Sequence, residues 1–142
     1  MTDQEDFDLF IRELGLPMEI VDAMINNLAD QIPMPEGVDT LKLGKSQIQG
    51  IGMFSVESVK SGFIFAPARL DGHRTPAGRF INHSINPNSV FIQVAIDDLY
   101  VRAMRDIAAD EEVTISYRQA AQVNGAADAI TDLKNLLRSQ TV

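Results

Sequence analysis

The run Asn82-His83-Ser84-Ile85-Asn86-Pro87-Asn88 constrains the fold of this chain more than any other segment. Phe80 and Ile81 precede it, so polar groups stand where the local pattern calls for burial. Buried amides, imidazoles and hydroxyls need hydrogen-bond partners, in the backbone of other segments or in a ligand. A later run, Asp110-Glu111-Glu112-Val113-Thr114-Ile115-Ser116-Tyr117, reads as a turn feeding a short strand that ends on a tyrosine. Upstream, Gly50-Ile51-Gly52-Met53-Phe54 places paired glycines between strand-like segments, which permits a tight bend and close backbone approach to a ligand. No third glycine and no helical pattern follow, so this is not a dinucleotide-binding fingerprint.

Composition excludes several chemistries. The 142 residues suit one domain with a modest core. The absence of cysteine removes disulfides, thiolate metal sites and cysteine nucleophiles together. The histidines His73 and His83 cannot build a histidine-rich metal site, and the acidic residues fit no calcium loop, so no metal is expected. A net charge of −8 argues against nucleic-acid binding; it suits a basic protein or peptide partner, and equally a merely soluble acidic surface. No long apolar run suggests a membrane span. The acidic start, with Asp3, Glu5, Asp6 and Asp8, is the opposite of a signal peptide, so a cytoplasmic location is expected.

Hydrophobic periodicity divides the chain into an appended helical segment (1–37), a strand-rich domain (38–118) and a C-terminal helix (119–142). Phe7, Phe10, Ile11 and Leu14 share one helix face, and Gly15 is a natural stop. Pro17 opens a second stripe through Ile20, Val21, Met24, Ile25 and Leu28, so residues 4–31 read as a helical hairpin that caps the domain or pairs two copies of it. Strands are expected at 38–43, 53–56, 63–66, 90–96, 99–104 and 113–116, with a hairpin turn at Asp97-Asp98. Residues 69–78 are rich in turn formers and read as loop. Ile130, Leu133 and Leu137 predict a helix over 126–138. The fold class is therefore mainly β (α+β), with small, largely antiparallel sheets.

Glu111 and Glu112 read as solvated turn residues rather than as an acid–base pair, because adjacent strand residues point to opposite faces. His83 has no acidic neighbour and no serine at suitable spacing, so a hydrolase triad is poorly supported. Asn82 and Asn88 suit bridges between backbone segments.

Taken together and in this order, the Ser-x-Ile-x-Gly-x-Gly-x-Phe pattern at 46–54, the Asn-His-Ser-x-x-Pro-Asn motif at 82–88 and the strand ending at Tyr117 resemble the signature of SET-domain protein lysine methyltransferases, of the small viral or bacterial type. The resemblance implies a pseudoknot-like crossing, in which the Asn-His-Ser segment threads beneath the C-terminal part of the domain. It implies S-adenosylmethionine as cofactor, held by Gly50, Ile51, Gly52, Met53, Asn82 and His83, with Arg79 a further candidate against an ordinary surface ion pair. It implies that Tyr117 lines a lysine channel and is the catalytic residue. A viral member would work in the host cytoplasm or nucleus.

This chain departs from that family in its short 67–78 segment, which lacks a second channel tyrosine, in Arg118-Gln119 after Tyr117, and in lacking a cysteine-rich zinc element. Beside lysine methylation, two further functions stay open: a SET-fold binding module without turnover, and methyl transfer to a small molecule or a non-lysine group.

Overall fold

A computed structural model describes residues 1–15, 17, 19 and 31–123. The second helix of the expected hairpin and the expected helix over 126–138 lie outside the described residues. The first helix, α1 (Asp3–Leu14), forms as its apolar spacing predicts. Thr2 caps its N-terminus by accepting from the Glu5 amide at 3.1 Å, and Gly15 ends it at φ 65°, in the left-handed region where a side chain is strained.

Three small sheets follow. β1 (Leu41–Lys45) and β2 (Ile51–Ser55) form an antiparallel pair around the glycine loop. β3 (Ile64–Leu70), β4 (His73–Arg74), β6 (Ser89–Ala95) and β7 (Asp98–Ala103) make a four-stranded antiparallel sheet in the order β4-β3-β7-β6. β5 (Asn82–His83) pairs with β8 (Thr114–Ile115) in parallel, and this pairing brings the two polar runs side by side. Short helices α2 (Pro76–Phe80) and α3 (Tyr117–Val123) complete the described chain. The architecture is the expected mainly β, α+β type.

Residues 69–78 are not the expected loop. They hold the end of β3, all of β4 and the start of α2. Thr75 caps α2, and Pro76 sits at its first turn, where a missing N–H costs nothing. The Thr75 hydroxyl donates to the Pro67 carbonyl at 2.6 Å, which ties α2 to β3. Gly78 lets the two elements touch: a Cβ there would lie 2.1 Å from the Ala68 carbonyl oxygen. Pro67 is tolerated inside β3 because the pairing with β7 slips beside it.

The β6–β7 hairpin also turns one residue earlier than expected, at Ile96-Asp97. Asp98 pairs with Ala95 and accepts the Asp71 amide at 2.7 Å. The strand expected at 113–116 is only Thr114–Ile115, and Tyr117 begins a helix instead of closing a strand. Gln119 pins that helix to the edge of β6, accepting from Phe91 N at 3.3 Å and donating to Phe91 O at 2.9 Å. A core of Met53, Phe65, Ile81, Phe91, Val101, Ile107, Val113 and Ile115 lies between these layers.

Candidate functional site

The site begins with the loop between β1 and β2. Ser46 is buried there, and its hydroxyl oxygen accepts from the amides of Ile48 and Gln49 at 2.9 and 3.2 Å. A hydroxyl has one proton, and Ser46 gives it to the Glu112 carboxylate at 2.8 Å. Gly50 takes φ 52° to close the turn. Position 52 has no room for a side chain: a Cβ would sit 2.4 Å from Glu112 Oε2 and 3.2 Å from Asn82 Nδ2.

Asn82 joins the same cluster from β5. Its amide donates to Glu112 Oε2 at 2.9 Å and to the Gln49 carbonyl at 3.0 Å. Both protons of the NH₂ group are thereby used, and Asn82 clasps the glycine loop to Glu112, in the segment that leads into β8. Asn88 does the equivalent at the far end of the run. It accepts from Thr114 N at 2.9 Å and donates to Glu112 O at 2.8 Å and Glu111 Oε2 at 3.0 Å. Glu111 and Glu112 are therefore not the solvated turn residues expected. Burial raises the Glu111 carboxyl, but the Ala108 amide, Asn88 and Arg105 together hold it below its ordinary value.

His83 does have an acidic neighbour, supplied by α1. Its Nε2 lies 2.6 Å from Asp6 Oδ2, and its Nδ1 accepts from the Tyr117 amide at 3.0 Å. Arg118 also binds Asp6, at 2.8 Å, and with His83 it holds the Asp6 carboxyl below its usual range. Nothing in the local sequence of His83 signals Asp6. The one sequence hint is the acidic run on α1, placed next to a helix stripe expected to cap the domain.

The Tyr117 hydroxyl donates to the Ile81 carbonyl at 2.8 Å. Phe7 of α1 meets the Tyr117 ring edge-on at 5.7 Å, and the His83 ring lies 5.2 Å away. Burial, reinforced by the charge of Glu112, pushes the Tyr117 phenol up to about 12.

These groups surround one cavity of about 600 Å³. Gly50, Ile51, Arg79, Asn82, His83 and Tyr117 all line it, with Phe80, Phe91 and Ile115 as apolar wall and Asp3, Gln4 and Phe7 of α1 as cover. Gly52 and Met53 do not line it. Gly52 faces Glu112, while Met53 turns into the core and its carbonyl accepts from Val113 at 2.8 Å. Arg79 stacks over the Phe80 ring at 4.8 Å and donates to the Gln31 side chain. Among the described residues, no group of three or more histidine, aspartate or glutamate side chains is placed to hold a metal.

The SET domain family model matches residues 19–118 of the chain. No curated protein matches it. Among solved structures, a Plasmodium falciparum protein assigned as a histone methyltransferase is 23% identical with a TM-score of 0.47, the match covering 56% of this chain and 93% of that one. A humanized mutant of the Chaetomium thermophilum Polycomb Repressive Complex 2, bound to an inhibitor, is 20% identical with a TM-score of 0.48, over 57% of this chain and 15% of that one.

Proposed function

The chain belongs to the SET domain family of methyltransferases, and on that premise we propose that it transfers a methyl group from S-adenosylmethionine to a lysine side-chain amine in a basic protein or peptide. One observation carries the proposal: a single cavity gathers the glycine loop, the Asn82–His83 strand and Tyr117. The cavity's lining suits the cofactor. Arg79 offers a guanidinium for its carboxylate, Phe80, Phe91 and Ile115 offer apolar surface for its ring, and the loop at Gly50 is open, with no atom within 4 Å of where a Cβ would stand. When bound, the cofactor would supply an electrophilic methyl group on its sulfonium.

Tyr117 then has a definable task. Its proton is engaged by Ile81, and its phenol stays neutral far above physiological pH. It is therefore unsuited to be a general base. Its oxygen keeps lone pairs, which accept from an amine N–H and hold that amine in line. The apolar walls of Phe7 and Ile115 disfavour an ammonium and favour the neutral, nucleophilic amine. The net charge of −8 supports a basic substrate.

A binding module without turnover draws support from Phe7, which covers the Tyr117 ring where a substrate chain would approach. Methyl transfer to a small molecule is the remaining reading. Two measurements separate them. Calorimetry with S-adenosylmethionine should show binding, and Asn82→Ala should weaken it by about 1–3 kcal/mol. Mass spectrometry of a proteome incubated with labelled cofactor should then find methylated lysines. A folded protein that does not bind the cofactor removes the proposal, and binding without any transfer leaves the module.

A further inference from the structure

α1 bonds to the His83 ring at the centre of the site through Asp6. A backbone N–H only donates, so the 3.0 Å contact from Tyr117 N requires a lone pair on His83 Nδ1. The imidazole proton then sits on Nε2 and is donated to Asp6 Oδ2 at 2.6 Å. The opposite tautomer would set two N–H groups against each other and a carboxylate oxygen against a nitrogen lone pair. The ring has nowhere to turn, since its side chain is only 3% exposed. Asp6 is held in its turn by Arg118, whose other nitrogens grip Glu13 at 2.9 and 3.2 Å. Tyr117 N lies at the first turn of α3, where an amide has no partner within its own helix. His83 is the acceptor that satisfies it.

We propose that Asp6 is a positioning residue: it locks His83 in the Nε2–H tautomer, and the Nδ1 acceptor so created fixes the start of α3 and with it the aim of the Tyr117 phenol. The importance of aiming Tyr117 rests on the methyltransferase reading, whereas the lock itself does not. Asp6 and Phe7 are neighbours on α1, so the helix that supplies the lock also supplies the aromatic edge against the Tyr117 ring.

The test is ¹⁵N NMR of the imidazole rings in the full chain at neutral pH, with His73→Gln used to assign the two histidines. Wild type should show His83 as the neutral Nε2–H form. Asp6→Asn keeps a side-chain oxygen that accepts from Nε2–H and should retain it. Asp6→Ala should release a mixture of tautomers, and the Tyr117 amide should exchange with solvent roughly tenfold faster or more. In the methylation assay Asp6→Ala should lower kcat by roughly tenfold or more while cofactor affinity stays close to wild type, and Asp6→Asn should restore most of it.

Wild-type His83 found as the Nδ1–H form or as the cation overturns the lock. So does an Asp6→Ala protein that keeps both the tautomer and the amide protection. If Asp6→Ala fails to fold, Asp6→Asn decides, because loss of the Nε2–H form there sinks the proposal. A wild type that shows the lock but methylates nothing upholds the lock and removes the methyltransferase reading instead.

Discussion

At the scale of single residues the site divides by what each side chain is already doing. Tyr117→Phe removes one hydroxyl and its bond to Ile81. Folding stability should fall by about 1 kcal/mol, cofactor affinity should hardly change, and single-turnover methyl transfer should fall by roughly 10²-fold if the hydroxyl aligns the amine. Equal single-turnover rates would remove Tyr117 from the chemistry. Glu112 is a different case. Its carboxylate accepts hydrogen bonds from Ser46 and Asn82, so Glu112→Ala strands two donors and should destabilise the protein by about 1–3 kcal/mol, read from denaturant unfolding. Glu112→Gln should also bring the Tyr117 phenol down from about 12, since one of the two causes of its elevation is lost and burial alone remains. Ultraviolet titration of the phenol, in a Tyr100→Phe background, reads that shift. Gly50, Asn82, His83 and Tyr117 were legible through three motifs that, taken in order, resemble the SET signature, and not through any one residue alone. Glu112 and Asp6 were not, because a carboxylate among other carboxylates carries no sign of the donor it meets after folding.

Elements repeat the pattern at larger spacing. Periodicity foresees α1 and the β6–β7 hairpin because each has its own apolar repeat, and the hairpin errs by one residue: both strands and the turn lie one position earlier than expected. The 69–78 segment was misread for a physical reason. Its turn formers serve as a cap and a proline first turn, and the packing of α2 on β3 uses a glycine instead of an apolar stripe. That packing makes a sharp prediction. In Gly78→Ala the new methyl would overlap a backbone oxygen, which cannot swing aside as a side chain can, and β3 or α2 must shift. The cost should be about 3 kcal/mol, at the upper end of ordinary overpacking, and should appear as a lower denaturation midpoint with an unchanged slope. Gly50→Ala meets no atom and strains only a left-handed turn, so its cost should be smaller. Similar losses for the two variants would show that α2 does not pack on β3 as described.

At the largest scale, the described residues form three small sheets and short helices around an apolar core, tied together by polar clasps, which explains both what the sequence disclosed and what it hid. Short strands bracketed by turns declare a mainly β fold. The parallel pairing of β5 with β8 depends on contacts far apart in the chain and leaves no local trace beyond polar residues in an apolar setting. A molecule clasped this way should respond to pH through its clasps. Asp6 sits below its ordinary value of 3.8 because Arg118 and His83 bind its charged form, and Glu111 is likewise held below 4.5. A depressed carboxyl favours the folded state above its unfolded pKa, and that advantage disappears as pH falls through the folded value. Stability should therefore decline from about pH 5 downward. The alkaline side has the opposite sign. The raised phenol of Tyr117 contributes fully below its ordinary value of 10.0, and its share is lost between there and about 12. Denaturant unfolding across this range should give a wild-type curve that bends at both ends. Asp6→Asn, which keeps the bond from His83 but removes the titrating group, should flatten only the acid limb, and Tyr117→Phe only the alkaline one. Parallel acid limbs for wild type and Asp6→Asn would mean that Asp6 does not couple α1 to the site, and the clasp from helix to domain would have to lie elsewhere.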